Sequence, residues 1–171
     1  MEFVIRDETS ADVASVHALN EAAFETDAEA RLVDALRRND RLKVSLVAVE
    51  AGDVIGHIAF SPISITRPDG SVADGVGLGP MAVQRSRQGR GIGSQLVRAG
   101  LDRVRAAGSS VCVVLGHREF YPRFGFERAS RFGIRWERDV PEEVFFVIEL
   151  TPGALLGVAR VVRYALEFSM V

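Results

Sequence analysis

Between the apolar run "VGLGPMAV" (76–83) and an amphipathic run that begins at Ile92, three glycines alternate at Gly89, Gly91 and Gly93, interleaved with Arg85, Arg87 and Arg90. Glycine at every second position suits the interior of neither a helix nor a strand, so this segment has to be a turn. After it, Ile92, Leu96, Val97, Leu101 and Val104 fall on one stripe at helical period. The valine-rich run "SVCVVLG" (110–116) then has the length and composition of a buried strand. Residues 76–117 therefore read as strand, turn, helix, strand, which requires two parallel strands joined by a right-handed crossover. A chain holding such a unit is mixed α/β.

The remaining sequence supplies mostly antiparallel elements. "EFVIR" reads as a first strand, and Thr9 with Asp12 has capping-box spacing ahead of the helical "VASVHALNEAAF". Thr26 with Glu29 repeats that spacing ahead of "ARLVDALRR". "KVSLVAVE", the turn "AGD" and "VIGHIAFSPISI" read as a hairpin, and "RPDGS" as the next turn. Beyond residue 117 come an aromatic turn, "REFYPRFGF", two strand-like runs, "FGIRWER" and "EVFFVIEL", and the tail "GVARVVRYALEF", expected as a strand at the sheet edge. The expectation is one domain over residues 1–171, with helices flanking a central sheet.

Charge narrows the partners. The chain has 171 residues, a net charge of -2 and 26% charged residues, which gives no footprint for nucleic acid or an anionic membrane. Lys43 is the only lysine, so nearly all basic charge is arginine, suited to phosphate and carboxylate. The single cysteine, Cys112, sits in an apolar run and reads as a core residue. With no signal peptide or spanning segment legible, the cytoplasm is the expected compartment.

A strand entering a glycine turn and then a helix is an anion site. The first N–H groups of the helix lack internal partners, the helix dipole is positive there, and glycines admit phosphate oxygens to the backbone. A kinase-type P-loop needs a lysine that is absent here. A dinucleotide fold needs G-x-G-x-x-G after a first strand, with an acid on the ribose; here the spacing is G-x-G-x-G, late in the chain, with only Glu119 to offer.

The hexapeptide from Gln88 to Gly93 matches Q-x-x-G-x-G and resembles the acyl-CoA pyrophosphate signature of the GNAT superfamily of N-acetyltransferases. The wider runs "LGPMAVQRSRQGRGIGSQLV" and "VVLGHREFYPRFGF", together with the element order, are similar to its YhbS-like branch over essentially the whole chain. The resemblance implies the GNAT fold, a mostly antiparallel sheet with one splayed parallel pair. It implies acetyl-CoA as co-substrate, a primary amine as acceptor, and no metal. An acyl-CoA-binding regulatory domain without turnover is the alternative, and a nicotinamide-dinucleotide protein is a third reading.

Carried onto this sequence, the resemblance places the pantetheine arm against the backbone of Met81, Ala82 and Val83. It places the pyrophosphate on the backbone of Gln88, Gly89, Arg90, Gly91, Ile92, Gly93 and Ser94. Arg85, Arg87 or Arg90 is left to meet the 3′-phosphate. Tyr121 falls where the family commonly has the acid that protonates the departing thiolate, with a CoA-contact role as the main competing reading and a place in the aromatic core as the plain structural one. For the general base, His117 follows the strand that ends at the splay, and Glu29 lies in the segment that lines the acceptor pocket. Glu29 is equally explained as the capping partner of Thr26. Glu25 is a weaker candidate, and His17 and His57 read as structural. The apolar end "VVRYALEFSMV" suggests a sheet edge able to pair with a second copy as a homodimer.

Overall fold

The computed structural model describes residues 2–156 and 160–171, apart from the side chain of Met170. Strand β1 (Val4–Asp7) leads into helices α1 (Val13–Ala23) and α2 (Ala28–Arg38). Strands β2 (Val44–Glu50), β3 (Asp53–Thr66) and β4 (Val72–Val83) follow as a meander. Helix α3 (Ile92–Ala106) connects β4 to β5 (Val111–Leu115). The closing part holds a single helical turn at Tyr121–Phe124, then the short strands β6 (Glu127–Arg128) and β7 (Ile134–Trp136). Strands β8 (Phe145–Glu149) and β9 (Arg160–Tyr164) and a last helical turn at Leu166–Met170 complete it.

The sheet runs β1-β2-β3-β4-β5-β8-β6, antiparallel along that path except for the β4–β5 pair. Strand β3 is long enough to serve two partners. Its first half pairs with β2 and its second half, Ile63–Thr66, pairs with β9. Strand β9 is flanked on its other side by β7 in parallel. The expected edge strand is therefore an interior one, because the far half of β3 needs a neighbour once β2 has ended. Strand β7 pairs with Arg160–Val162 and β3 with Val161–Tyr164, so β9 has a neighbour within the chain on both sides; residues 157–159 of the predicted tail lie outside the described residues.

Helix α3 covers one face of the sheet. Its predicted stripe of Ile92, Leu96, Val97, Leu101 and Val104 is buried against Leu46, Ile58, Phe60, Val76 and Leu78. The approach is close: a Cβ on Gly100 would overlap the Phe60 ring. On the other face α1 and α2 pack through Val16 and Val33 on Val47. Further along that face, β9, β7 and β8 enclose Ile63, Val113, Val147 and Val162. Cys112 is fully buried in β5, and its thiol is pushed well above its usual range by that burial. Among the described residues, no helix is long and apolar enough to cross a membrane.

A buried polar chain ties β1, β2, β3, α1 and α2 together. Asn20 donates to His57 Nδ1 at 3.2 Å, so the ring proton sits on Nε2 and reaches the Ser45 hydroxyl at 2.9 Å. Ser45 in turn donates to Glu8, whose other oxygen takes Arg37 Nε at 3.1 Å. Both nitrogens of the neutral imidazole are paired in this chain, and burial, followed by the nearby Arg37, pushes the His57 pKa down to about 3. His17 is bound to Asp34 at 2.6 Å on the helix surface. Neither histidine lines the cleft described below.

Candidate active site

The parallel register of β4 and β5 is Val76↔Cys112, Gly77↔Val113 and Leu78↔Val114, and it stops there. Opposite it, the pairing of β4 with β3 slips between Ile58 and Phe60, a bulge at Gly79–Pro80. Beyond the bulge β4 continues to Val83 held by β3 alone, so a gap opens between β4 and the end of β5. The Gln84 N–H donates to Ile55 O at 2.9 Å, toward β3. Backbone groups alternate sides along an antiparallel strand, so those of Ala82 also face β3 while those of Met81 and Val83 open into the gap. This corrects the expectation for Ala82, whose buried backbone is already committed. The Val83 carbonyl accepts the Gln88 side chain at 3.2 Å, which fixes the start of the glycine turn.

At the mouth of the gap stands the N-terminus of α3. Gly89 and Gly91 hold φ of 75° and 81°, the left-handed region where a side chain is strained, and Gly91 is the N-cap. Gly93 is different: a Cβ there would meet Met81 Cε at 3.7 Å and Phe120 Cζ at 3.8 Å, ordinary contacts. Among the described residues nothing demands glycine at 93, and the missing side chain leaves the α3 amides open to approach. The arginines of the turn are differently employed. Arg87 Nε bonds the buried carboxylate of Glu50 at 2.7 Å and Arg90 stands 3.9 Å from the same group. Arg85 is exposed. The sequence reading missed Arg123, which donates to Ser94 Oγ at 2.7 Å and lies over the Phe120 ring at 4.9 Å. It thereby places a guanidinium at the α3 N-terminus.

Gap and mouth belong to one cleft of about 1310 Å³. That exceeds the space one drug-sized ligand fills, and suits two substrates together. Of the predicted residues it brings together Met81, Val83, Gln88, Gly89, Gly91, Ile92, Gly93 and Ser94 with Glu29, His117 and Tyr121. Ala82, Arg90 and Glu25 do not line it. Among the described residues no cluster of three or more His, Cys, Asp or Glu side chains is placed to hold a metal ion.

Tyr121 hangs from the turn that follows β5. Its N–H and that of Phe120 bond the His117 carbonyl at 3.3 and 3.1 Å, so His117 starts that turn through its backbone while its ring is exposed at the rim. The Tyr121 ring packs edge-on against Phe120 and Phe126, with centroids 5.1 and 5.6 Å away. A Cβ on Gly116 would fall inside that ring, so glycine precedes His117 in order to seat the tyrosine. Burial pushes its phenol up to about 12, which keeps it protonated at neutral pH.

Glu29 is not a capping residue. The N-cap of α2 is Asp27, Thr26 reaches only the Ala28 N–H at 3.3 Å, and Glu29 turns into the cleft. Its Oε2 is buried and has no hydrogen-bond partner among the described residues. Across the cleft stand side chains that sequence reasoning did not single out: Phe24, Trp136, Arg138, Tyr164 and Phe168. Most lie in runs read only as strands, and the aromatic content of "FGIRWER" and "VVRYALEF" was the one available signal.

A parallel pair that parts beside a glycine-capped helix, over a cleft with a buried protonated tyrosine and an unpaired carboxylate, defines a GNAT-type acyl-CoA-dependent acyltransferase. The chain belongs to the acetyltransferase (GNAT) domain family, which matches residues 4–129. It is 39% identical to the N-acetyltransferase YhbS of Escherichia coli strain K12 over 97% of this chain and 98% of that protein. The crystal structure of E. coli YhbS in complex with CoA superposes with a TM-score of 0.92 at 38% identity, covering 99% of this chain and 93% of that one. A GNAT family acetyltransferase from Brucella melitensis in complex with acetyl-CoA gives 0.80 at 37% identity, with 98% of each chain covered.

Proposed function

We propose that this chain, acting as one domain over residues 1–171, transfers the acetyl group of acetyl-CoA to a primary amine by direct attack in a ternary complex. The observation that carries the reading is Gly93. It is a helical glycine that the protein's own packing does not require, set among the free amides of α3, at a cleft where relatives of 39% and 37% identity hold the same fold. Relatives crystallised with CoA and acetyl-CoA support the co-substrate. The amides from Gln88 to Ser94 hold the pyrophosphate, with Arg123 beside them, and Met81 and Val83 pair with the pantetheine as an added strand would. A Met81 or Val83 N–H facing the gap polarises the thioester carbonyl.

Glu29 receives the proton of the attacking amine, a role supported by its unpaired buried oxygen in the cleft; His117, at the rim, is the second candidate. The amine nitrogen bonds to the carbonyl carbon, the carbon–sulfur bond breaks, and Tyr121 gives its proton to the departing thiolate. The phenolate recovers a proton from solvent.

The test is CoA release, followed with a thiol reagent, across a panel of primary amines. Tyr121→Phe is expected to lower kcat about 10²-fold while leaving the KM for acetyl-CoA unchanged. An unchanged kcat removes Tyr121 from the chemistry.

A further inference from the structure

Three residues that line the cleft each carry a buried polar atom with no hydrogen-bond partner among the described residues: Glu29 Oε2, Trp136 Nε1 and Tyr164 Oη. Buried polar groups are almost always paired, so three orphans on one cavity mark a place shaped for something else. They come from three separate elements, α2, β7 and β9. Trp136 and Tyr164 lie beyond residue 129, outside the stretch that the domain family matches.

Their chemistry is specific. An indole N–H can only donate. The Tyr164 phenol is held in its protonated form by burial, and so also donates. Glu29 can accept from an ammonium group. The walls between them are aromatic: Trp136 and Tyr164 meet edge to face at 5.4 Å, and Tyr164 lies 4.8 Å from Phe168. Both rings pack against neighbours, one of which, Arg138, also lines the cleft. Arg138 stacks on Trp136 at 5.1 Å while donating to the Phe168 carbonyl at 3.0 Å. On the far side, the Tyr164 ring rests where a Cβ on Gly77 would be.

We infer that Trp136 and Tyr164 are specificity residues that read a hydrogen-bond-accepting oxygen carried close to the acceptor's amine, so that the acceptor is an amino-acyl compound rather than a plain alkylamine or polyamine. This deepens the acetyltransferase reading and rests on it. The ammonium goes to Glu29, a carbonyl or carboxylate oxygen goes to the two donors, and the acceptor's apolar body lies against the aromatic rings. In the arrangement seen, the three atoms are closed off by their neighbours, so this reading requires the side chains that carry them to shift when the acceptor binds. A plain amine leaves both donors buried and unpaired, and that is the strongest form of discrimination a site of this kind has.

The test is calorimetry of a matched pair, L-phenylalaninamide and 2-phenylethylamine, on the full chain saturated with CoA. The second compound is the first without its carboxamide. The expected result is binding about 100-fold tighter for the carboxamide, roughly tenfold for each hydrogen bond. Trp136→Phe and Tyr164→Phe each keep an aromatic ring, and each is expected to cut the ratio by about tenfold while CoA affinity stays unchanged. Equal affinity for the two amines, no binding of either to the CoA-loaded protein, or a ratio that neither variant changes overturns the inference. Failure of CoA itself to bind is a separate outcome, which overturns the acetyltransferase reading and this inference with it.

Discussion

Gly93 separates a folding constraint from a functional one. Gly89 and Gly91 are needed by the backbone, since their positive φ strains any side chain. Gly93 has ordinary helical geometry, and a methyl group there would make only ordinary contacts with its neighbours. Alanine is the better helix former by about 1 kcal/mol, so Gly93→Ala is expected to fold and to be as stable as the parent or slightly more so. The same methyl stands between the α3 amides and a phosphate oxygen, so acetyl-CoA affinity is expected to fall tenfold or more. Thermal unfolding and calorimetry on the same preparation check both halves, and unaltered affinity would mean that the anion sits elsewhere. The motif residues were legible in the sequence because their chemistry is local. Glu29 was ambiguous there, since the spacing that suggests a cap is also the spacing that puts a carboxylate at the start of α2. Only the turn at Asp27 decides between the two.

At the scale of elements, what could be read was whatever depends on periodicity. The stripe of α3, both N-terminal helices and the β2–β3–β4 meander fall close to their expected limits. The position of β9 was not legible, because strand pairing is set by which partner has an unfilled side. The length of β3 creates that vacancy about a hundred residues away in sequence. Trp136 and Tyr164 were missed for the same reason, since their place in the cleft depends on that pairing. The network around His57 is also assembled between elements, and it makes a prediction in pH. Its folded pKa lies near 3 and its unfolded value near 6.5, so between those values the unfolded chain binds a proton that the folded one refuses. Stability therefore falls as pH drops through that window, by about 2 kcal/mol between neutrality and pH 5 for this one group. Urea unfolding at pH 7.5 and 5.0 is expected to show that loss in the parent. His57→Gln is expected to show a loss smaller by about that amount, and equal losses in the two proteins would mean that His57 is charged in the folded state.

For the molecule as a whole, the sheet is antiparallel nearly everywhere and parallel at one pair, and that pair comes apart where the glycine turn begins. The co-substrate side of the cleft is built from β4, the turn and α3, contiguous in sequence, which is why it was legible there. The opposite side of the cleft is assembled from Phe24, α2, β7, β9 and the last helical turn, with contacts such as Asn39 to Glu167 at 2.8 Å joining α2 to that turn. The central claim is that the contiguous half binds acetyl-CoA, and thermal unfolding with and without that ligand tests it most directly. At about 100 times its Kd a ligand stabilises by about 2.7 kcal/mol, which for a domain of this size raises Tm by roughly 5–10 °C. The account predicts that rise with acetyl-CoA and none with NADH. An unmoved Tm at millimolar acetyl-CoA would contradict it.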